Sequence, residues 1–387
     1  MSELINGRRI CNGIKKELLI TVSSVTLSVM AFGTVAARAD EDDKPIVWIE
    51  LGGQLEAMTG MQKPVDPRFF SIDAPTVDAI RKAPQFGPLF NFGNEAALSF
   101  QPEDSDWVFS GTIRFGRSSG MNHAHHQSKV GPWYQQRHTY YGAGITRFFT
   151  PSAQNTSDMM SKFSRSHVIA DFQVGKDVGL GLFGRESSSN ISMGVRFAQF
   201  SSKANVLIRV RPDVHYHDWT AILPNKFPIS LIGNYVEDSI AARNFHGVGP
   251  SLSFKETSPL IGEANAGELA LDWGFNGAVL FGRQQVRIHN HATEHYWVNV
   301  SSWHGHPQGY STVYQNSASP PQRSRTVIVP DVGASAAITY RIHDFKVSIG
   351  YRADLFFGAM DDGIDAAKRE NVNFYGPFAT ISIGLGG

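Results

Sequence analysis

Cysteine is almost absent: Cys11 is the one thiol in 387 residues. It falls in an N-terminal segment that reads as removed, so the exported chain has no disulfide, no thiolate nucleophile and no zinc–thiolate site. Neither sign of charge prevails, with 35 Lys and Arg against 35 Asp and Glu, so nothing in the charge balance asks for a nucleic-acid partner. Mean hydropathy is −0.20 and the one long apolar run lies near the start, which excludes a polytopic helical membrane protein. Catalytic signatures are missing too. There is no G-x-S-x-G elbow, and Gly179-x-Gly181, within the glycine-rich Gly175–Gly184, lacks a dinucleotide-binding continuation. The expectation is a chain with no catalytic residues and no cofactor.

The early apolar run has a recognisable setting. Arg8, Arg9, Lys15 and Lys16 precede Leu18–Val35, and Ala37-Arg38-Ala39 offers a small-residue cleavage site before Asp40. Those are the three parts of a secretory signal peptide. A retained anchor helix is the alternative; the cleavage site and the acidic Asp40–Asp43 argue against it. Residues 1–39 are expected to be removed, leaving 40–387. Removal takes away five basic and two acidic residues, so the mature chain has 30 basic and 33 acidic groups and a net charge of −3.

The mature chain is built on period two. Between Glu268 and Gly282, Leu269, Leu271, Trp273, Phe275, Val279 and Phe281 alternate with Glu268, Ala270, Asp272, Gly274, Asn276 and Ala278. Successive side chains of a strand point to opposite faces, so one face is apolar and aromatic and the other small or polar. A helix would mix Glu268 and Asp272 among the leucines without a stripe. The same alternation marks strands starting near Ile46, Glu95, Trp107, Val168, Ile191, Val248, Val332, Phe345 and Phe378. Long connections cover Thr59–Asn91, Arg117–Arg165, Ser201–Arg243, Arg283–Thr326 and Met360–Asn371, and short turns lie between them.

Alternation of long and short connections is the pattern of an outer-membrane barrel with its termini at the inner rim. The fold class is therefore all-β: a transmembrane antiparallel β-barrel of about 10 strands, with long extracellular loops and short periplasmic turns. Within the third long connection, Asn205–Tyr216 reads as a strand continuing above the membrane; twelve strands result if such extended pieces of the third or fourth loop enter it. A soluble β-sandwich also alternates, but it explains neither the long strands nor the connection pattern.

At Phe245-His246-Gly247-Val248-Gly249-Pro250, at Gly277-Ala278-Val279-Leu280-Phe281-Gly282, and at Asp171-Phe172-Gln173-Val174-Gly175 and Val195-Arg196-Phe197-Ala198, the chain resembles the Legionella-type major outer-membrane protein family of pore-forming barrels. The resemblance covers about the second half of the mature chain and implies a surface-exposed, porin-like barrel in a Gram-negative outer membrane. Two features depart from that family: the mature chain has no cysteine for a disulfide-linked assembly, and Leu385-Gly386-Gly387 lacks a terminal aromatic.

The polar faces carry the candidate site. Arg114, Arg196, Arg341 and Arg352 stand opposite Asp171, Asp272, Asp354 and Glu268, and charged rings filter ions by sign. The expectation is passive diffusion of small solutes through a charged lumen, in contact with outer-membrane lipid and lipopolysaccharide; self-association into a homo-oligomer stays open. The alternative is a lumen plugged by its own ion pairs, with the surface loops acting as an adhesin. Histidines gather at His123, His125, His126 and His138 and again at His289, His291, His295, His304 and His306. Imidazole suits zinc, copper or nickel, but no carboxylate or cysteine completes a ligand spacing, so no metal site is expected.

Overall fold

A computed structural model describes residues 47–60, 89–102, 105–130, 133–138, 145–150, 152–178, 187–217, 228–263, 266–301, 307–316, 322–363 and 366–385. The expected signal peptide, Gly179 and Gly181, and His304 and His306 lie outside these residues. The strands in chain order are β1 (Val47–Thr59), β2 (Leu89–Phe100), β3 (Trp107–Val130), β4 (Trp133–His138), β5 (Ile145–Thr150), β6 (Ser152–Asp177) and β7 (Ser188–His217). There follow β8 (Pro228–Glu263), β9 (Gly267–Ser301), β10 (Pro307–Asn316), β11 (Arg323–Ile342), β12 (Phe345–Asp361) and β13 (Arg369–Leu385).

Ten of them close a ring in the order β1-β2-β3-β6-β7-β8-β9-β11-β12-β13, with β13 hydrogen-bonded back to β1. Strands β4 and β5 form a separate hairpin, and β10 adds to the far end of β9. Twelve membrane strands are thus excluded. The piece Asn205–Tyr216 is the continuation of β7, paired on both sides.

Alternation decides which face meets lipid. Phe92, Ile113, Phe172, Met193, Leu252, Phe275, Ile349 and Ile381 point outward and are exposed. Their neighbours along each strand point inward and are buried or half-buried, as in Asp171 beside Phe172 and Leu280 beside Val279. A closed ring leaves no unpaired backbone edge, which lets strands cross hydrocarbon. The chain is a transmembrane β-barrel.

The barrel wall is uneven. Strands β1, β2, β11, β12 and β13 have 12 to 20 residues. Strands β3, β6, β7, β8 and β9 have 24 to 36, whereas ~9–11 tilted residues cross a bilayer. The surplus stands beyond the membrane as a tall blade. This corrects the sequence reading of Arg117–Arg165 and Arg283–Thr326 as loops: β3 and β6 stay paired from Trp107↔Lys176 to Val130↔Ala153, whereas the strand expected above the membrane at Asn205–Tyr216 is present in β7. Outside lipid the outward residues become polar, so the apolar stripe that marks a strand fades. The inward stripe persists in Val206, Ile208 and Val210 against Ala292.

At the opposite rim the connections are short. Strands β11 and β12 are joined through His343 and Asp344, with His343 in the left-handed region at φ 50°, tolerable for a tight hairpin.

Candidate functional site

The lumen is filled by four layers, set by register from the short-turn rim toward the blade. In the first, Arg341 and Lys346 sit over the ring of Trp48, their charged groups 5.7 and 4.2 Å from its centre. Thr339 Oγ1 donates to Asp272, and Ser382 donates to Glu50. Glu268 pairs in register with Arg341.

The second layer is a belt of ion pairs that ties distant walls together. Arg114 on β3 reaches Asp354 on β12 at 2.5 Å. Arg196 on β7 donates to Asp171 on neighbouring β6 at 2.7 Å, to Asn276 on β9 at 2.8 Å and to Asp331 on β11 at 2.5 Å. Arg352 donates to Glu95 on β2 at 2.6 Å and lies over the Phe378 ring. Three guanidiniums thus meet four buried carboxylates. Such groups leave water only when paired, because an isolated ion in low dielectric is very costly. Glycine makes the room: a Cβ on Gly333 would lie 2.3 Å from Asp354 Oδ1, and one on Gly116 would lie 2.6 Å from the His167 ring.

Beside the belt, Glu56, buried, accepts from Asn91 at 3.3 Å and lies 3.4 Å from His167 Nδ1. A cavity of about 10 Å³ opens here, lined by Gln54, Glu56, Glu95, Arg114, His167 and Arg352 among others. That is room for about one water.

The third layer is apolar. Phe200 on β7 stacks on Phe245 of β8 at 5.6 Å, and meets Phe356 of β12 at 4.8 Å and Phe374 of β13 at 5.5 Å. In a ring of ten, β7 and β13 are five strands apart, so these rings touch across the full diameter. Met58, Ile169, Leu280, Val329 and Met360 complete the cluster, all buried.

The fourth layer is rich in arginine. Arg243 lies 3.6 Å from Asp362, Arg323 lies 3.4 Å from Asp361, and Arg325 donates to Gln284. Arg165 in the same layer is 2% exposed and its Nε and Nη1 have no hydrogen-bond partner; its guanidinium lies 5.2 Å from the centre of the Phe163 ring.

Of the eight lumen residues expected from sequence, Arg114, Asp171, Arg196, Arg352 and Asp354 meet in the belt, while Glu268, Asp272 and Arg341 lie apart in the first layer. Sequence reasoning missed Glu95, His167 and Asp331. Each sits at the edge of a strand as read from alternation: Glu95 opens its strand, His167 precedes Val168, and Asp331 follows Pro330. Inward parity, carried one or two residues further, would have found all three.

The clustered histidines lie elsewhere. His123 and His125 are on the outer face of β3, where His125 Nδ1 is 2.6 Å from Asp158 Oδ1. That hydrogen bond holds the Asp158 carboxyl below its usual range. Among the described residues no cluster of three or more His, Cys, Asp or Glu is placed to hold a metal ion.

No family model and no curated protein matches this chain. Several solved structures resemble it in fold at 7–8% identity. A TodX deltaS2S3 mutant, a monoaromatic hydrocarbon channel, covers 89% of this chain and 91% of its own at a TM-score of 0.22. The Pseudomonas putida toluene transporter TodX covers 89% and 90% at 0.21. The transport unit of the autotransporter AIDA-I from Escherichia coli covers 94% and 97% at 0.17. The barrel stands on its own strand pairing.

Proposed function

We propose that this chain is an outer-membrane barrel, closed in the middle, that acts through the tall blade it raises above the membrane as a surface interaction protein without catalytic activity. The observation that carries the reading is the contact of Phe200 with Phe356 and Phe374 across the diameter, stacked on a belt of paired ions. Small barrels are packed and wide ones hollow, and two dry or paired layers in series leave no aqueous path. The outer-membrane location is supported by the outward apolar face and by the expected export signal.

A second reading is passage of small solutes through the charged lumen once the rings move apart. It is favoured by the polar cavity between Glu56, His167 and Arg352. Planar-bilayer recording of the refolded mature chain separates the two. The closed reading expects silence from the wild type. Stable conductance steps that change with Arg196→Ala or Arg352→Ala would overturn it in favour of passage.

A further inference from the structure

We infer that the outer face of the blade, just above the lipid belt, binds the phosphorylated headgroup of an outer-leaflet glycolipid. The inference rests on the outer-membrane reading and goes beyond it by naming the site and the chemistry.

Cross-strand register orders that face into rows. The lowest contains the last lipid-facing residues, Phe115 and Val168, and continues through His246 to Arg283. The second opens on Arg117 and runs through Ser166, Ser201 and Asn244 to Gln285. The third holds Lys203 and Arg287, two strands apart across Ala242. The fourth holds Lys162 and His289. Arg117, Lys162, Lys203, Arg283 and Arg287 are all exposed. None of the four rows contains a carboxylate; Asp238 and Asp158 enter only in the fifth and sixth.

Geometry fixes the depth of these cations. They share outward parity with Phe115, Phe197 and Phe281, which face hydrocarbon. Counted along its own strand, Arg117 is the next outward residue after Phe115 and Arg283 the next after Phe281, while Lys162, Lys203 and Arg287 come three outward positions beyond Val168, Phe197 and Phe281. Each such step climbs roughly 5 Å on a strand tilted ~45°, which holds them at the level of phosphates and sugars rather than in bulk water. Neighbouring strands are ~4.8 Å apart, which puts Lys203 and Arg287 about 10 Å apart, a span suited to more than one phosphate on one headgroup. Serine hydroxyls and the Asn244 and Gln285 amides lie between them as donors, and Ser324 already receives Arg283 Nε at 2.6 Å. Guanidinium and hydroxyl together recognise phosphate. Among the described residues, the strands of the short side end within a few residues of outward Phe357, Tyr375 and Phe90.

The test uses the refolded mature chain in neutral detergent, with native mass spectrometry reading bound bis-phosphorylated lipid A against the dephosphorylated form. The wild type is expected to retain the phosphorylated form preferentially. Substituting Arg117→Ser, Lys203→Ser and Arg287→Ser together is expected to weaken it about tenfold or more, while Arg117→Lys with Arg287→Lys keeps it. Heat-modifiable migration on a gel verifies that each variant is folded. Retention by the triple variant, or equal binding of dephosphorylated lipid, overturns the inference. So does displacement by millimolar inorganic phosphate, which would make the site a reader of free anion. Insertion into phosphatidylcholine vesicles is measured on the same samples. A wild type that inserts yet ignores lipid A sinks the inference alone; one that fails to insert sinks the outer-membrane reading with it.

Discussion

The tall and short halves of the wall differ in what holds them. On the short side, β1, β2, β12 and β13 are hardly longer than the bilayer requires, and their inward residues engage the far wall through the belt and the phenylalanines. On the tall side, β3 and β6–β9 do the same in their lower part. Higher up, the blade holds itself with backbone ladders and small clusters such as Val206, Ile208, Val210 and Ala292. Charge in this molecule is therefore a buried cross-brace inside the barrel and a surface feature on the outer face of the blade.

The largest test of that contrast is Arg114→Ala, because Arg114 joins the tall side to the short one. It leaves Asp354 buried beside fewer cations, and loss of one partner of a buried pair costs about 3–5 kcal/mol. Denaturant unfolding of the refolded barrel in lipid vesicles reads it, and a loss below about 1 kcal/mol would mean that water reaches the belt. Next comes Ile208→Ala in the blade, worth about 2–4 kcal/mol locally. Amide exchange is expected to quicken in β7 and β8 above the membrane while gel migration of the barrel stays unchanged; general unfolding would show that the two regions are one cooperative unit.

Arg165→Met has the opposite sign. A buried guanidinium with two nitrogens lacking hydrogen-bond partners is costly, so its replacement is expected to stabilise by about 1 kcal/mol. Destabilisation would reveal an anion held at that layer. The smallest effect belongs to Asp158 at the blade. Its folded carboxyl is held below the ordinary value by His125, so its contribution is present above the unfolded value and fades as pH falls through the lower folded one. Acidification is expected to speed amide exchange at that end of β3 and β6, and Asp158→Asn to abolish the pH dependence.

Period-two alternation carried most of the barrel into view, because lipid forces Leu269, Phe275 and Phe281 to one face and Asp272 and Asn276 to the other. Apart from Asn205–Tyr216, the blade was hidden because outward residues such as His123, Lys162 and Arg287 face water, where nothing enforces apolarity. The belt was half legible. Parity reveals that Arg196 points inward, but which of several acids it selects depends on strand neighbourhood around the ring, and Asp331 lies 135 residues away in the chain. The aromatic layer was invisible for a related reason. Phe200, Phe245, Phe356 and Phe374 sit on inward positions that look like unremarkable strand residues until the ring is closed.

Hydrogen-bonding of β13 to β1 has a kinetic side. Gln54 donates to the Gly376 carbonyl over a separation of 322 residues, so the final ladder forms only after all other strands have been laid down in order. Until then the half-made sheet carries two bare edges, open to wrong partners and slow to meet because contacts so remote in sequence form late. A chaperone or assembly machine that shields both margins until the last strand arrives is the natural complement of such a seam.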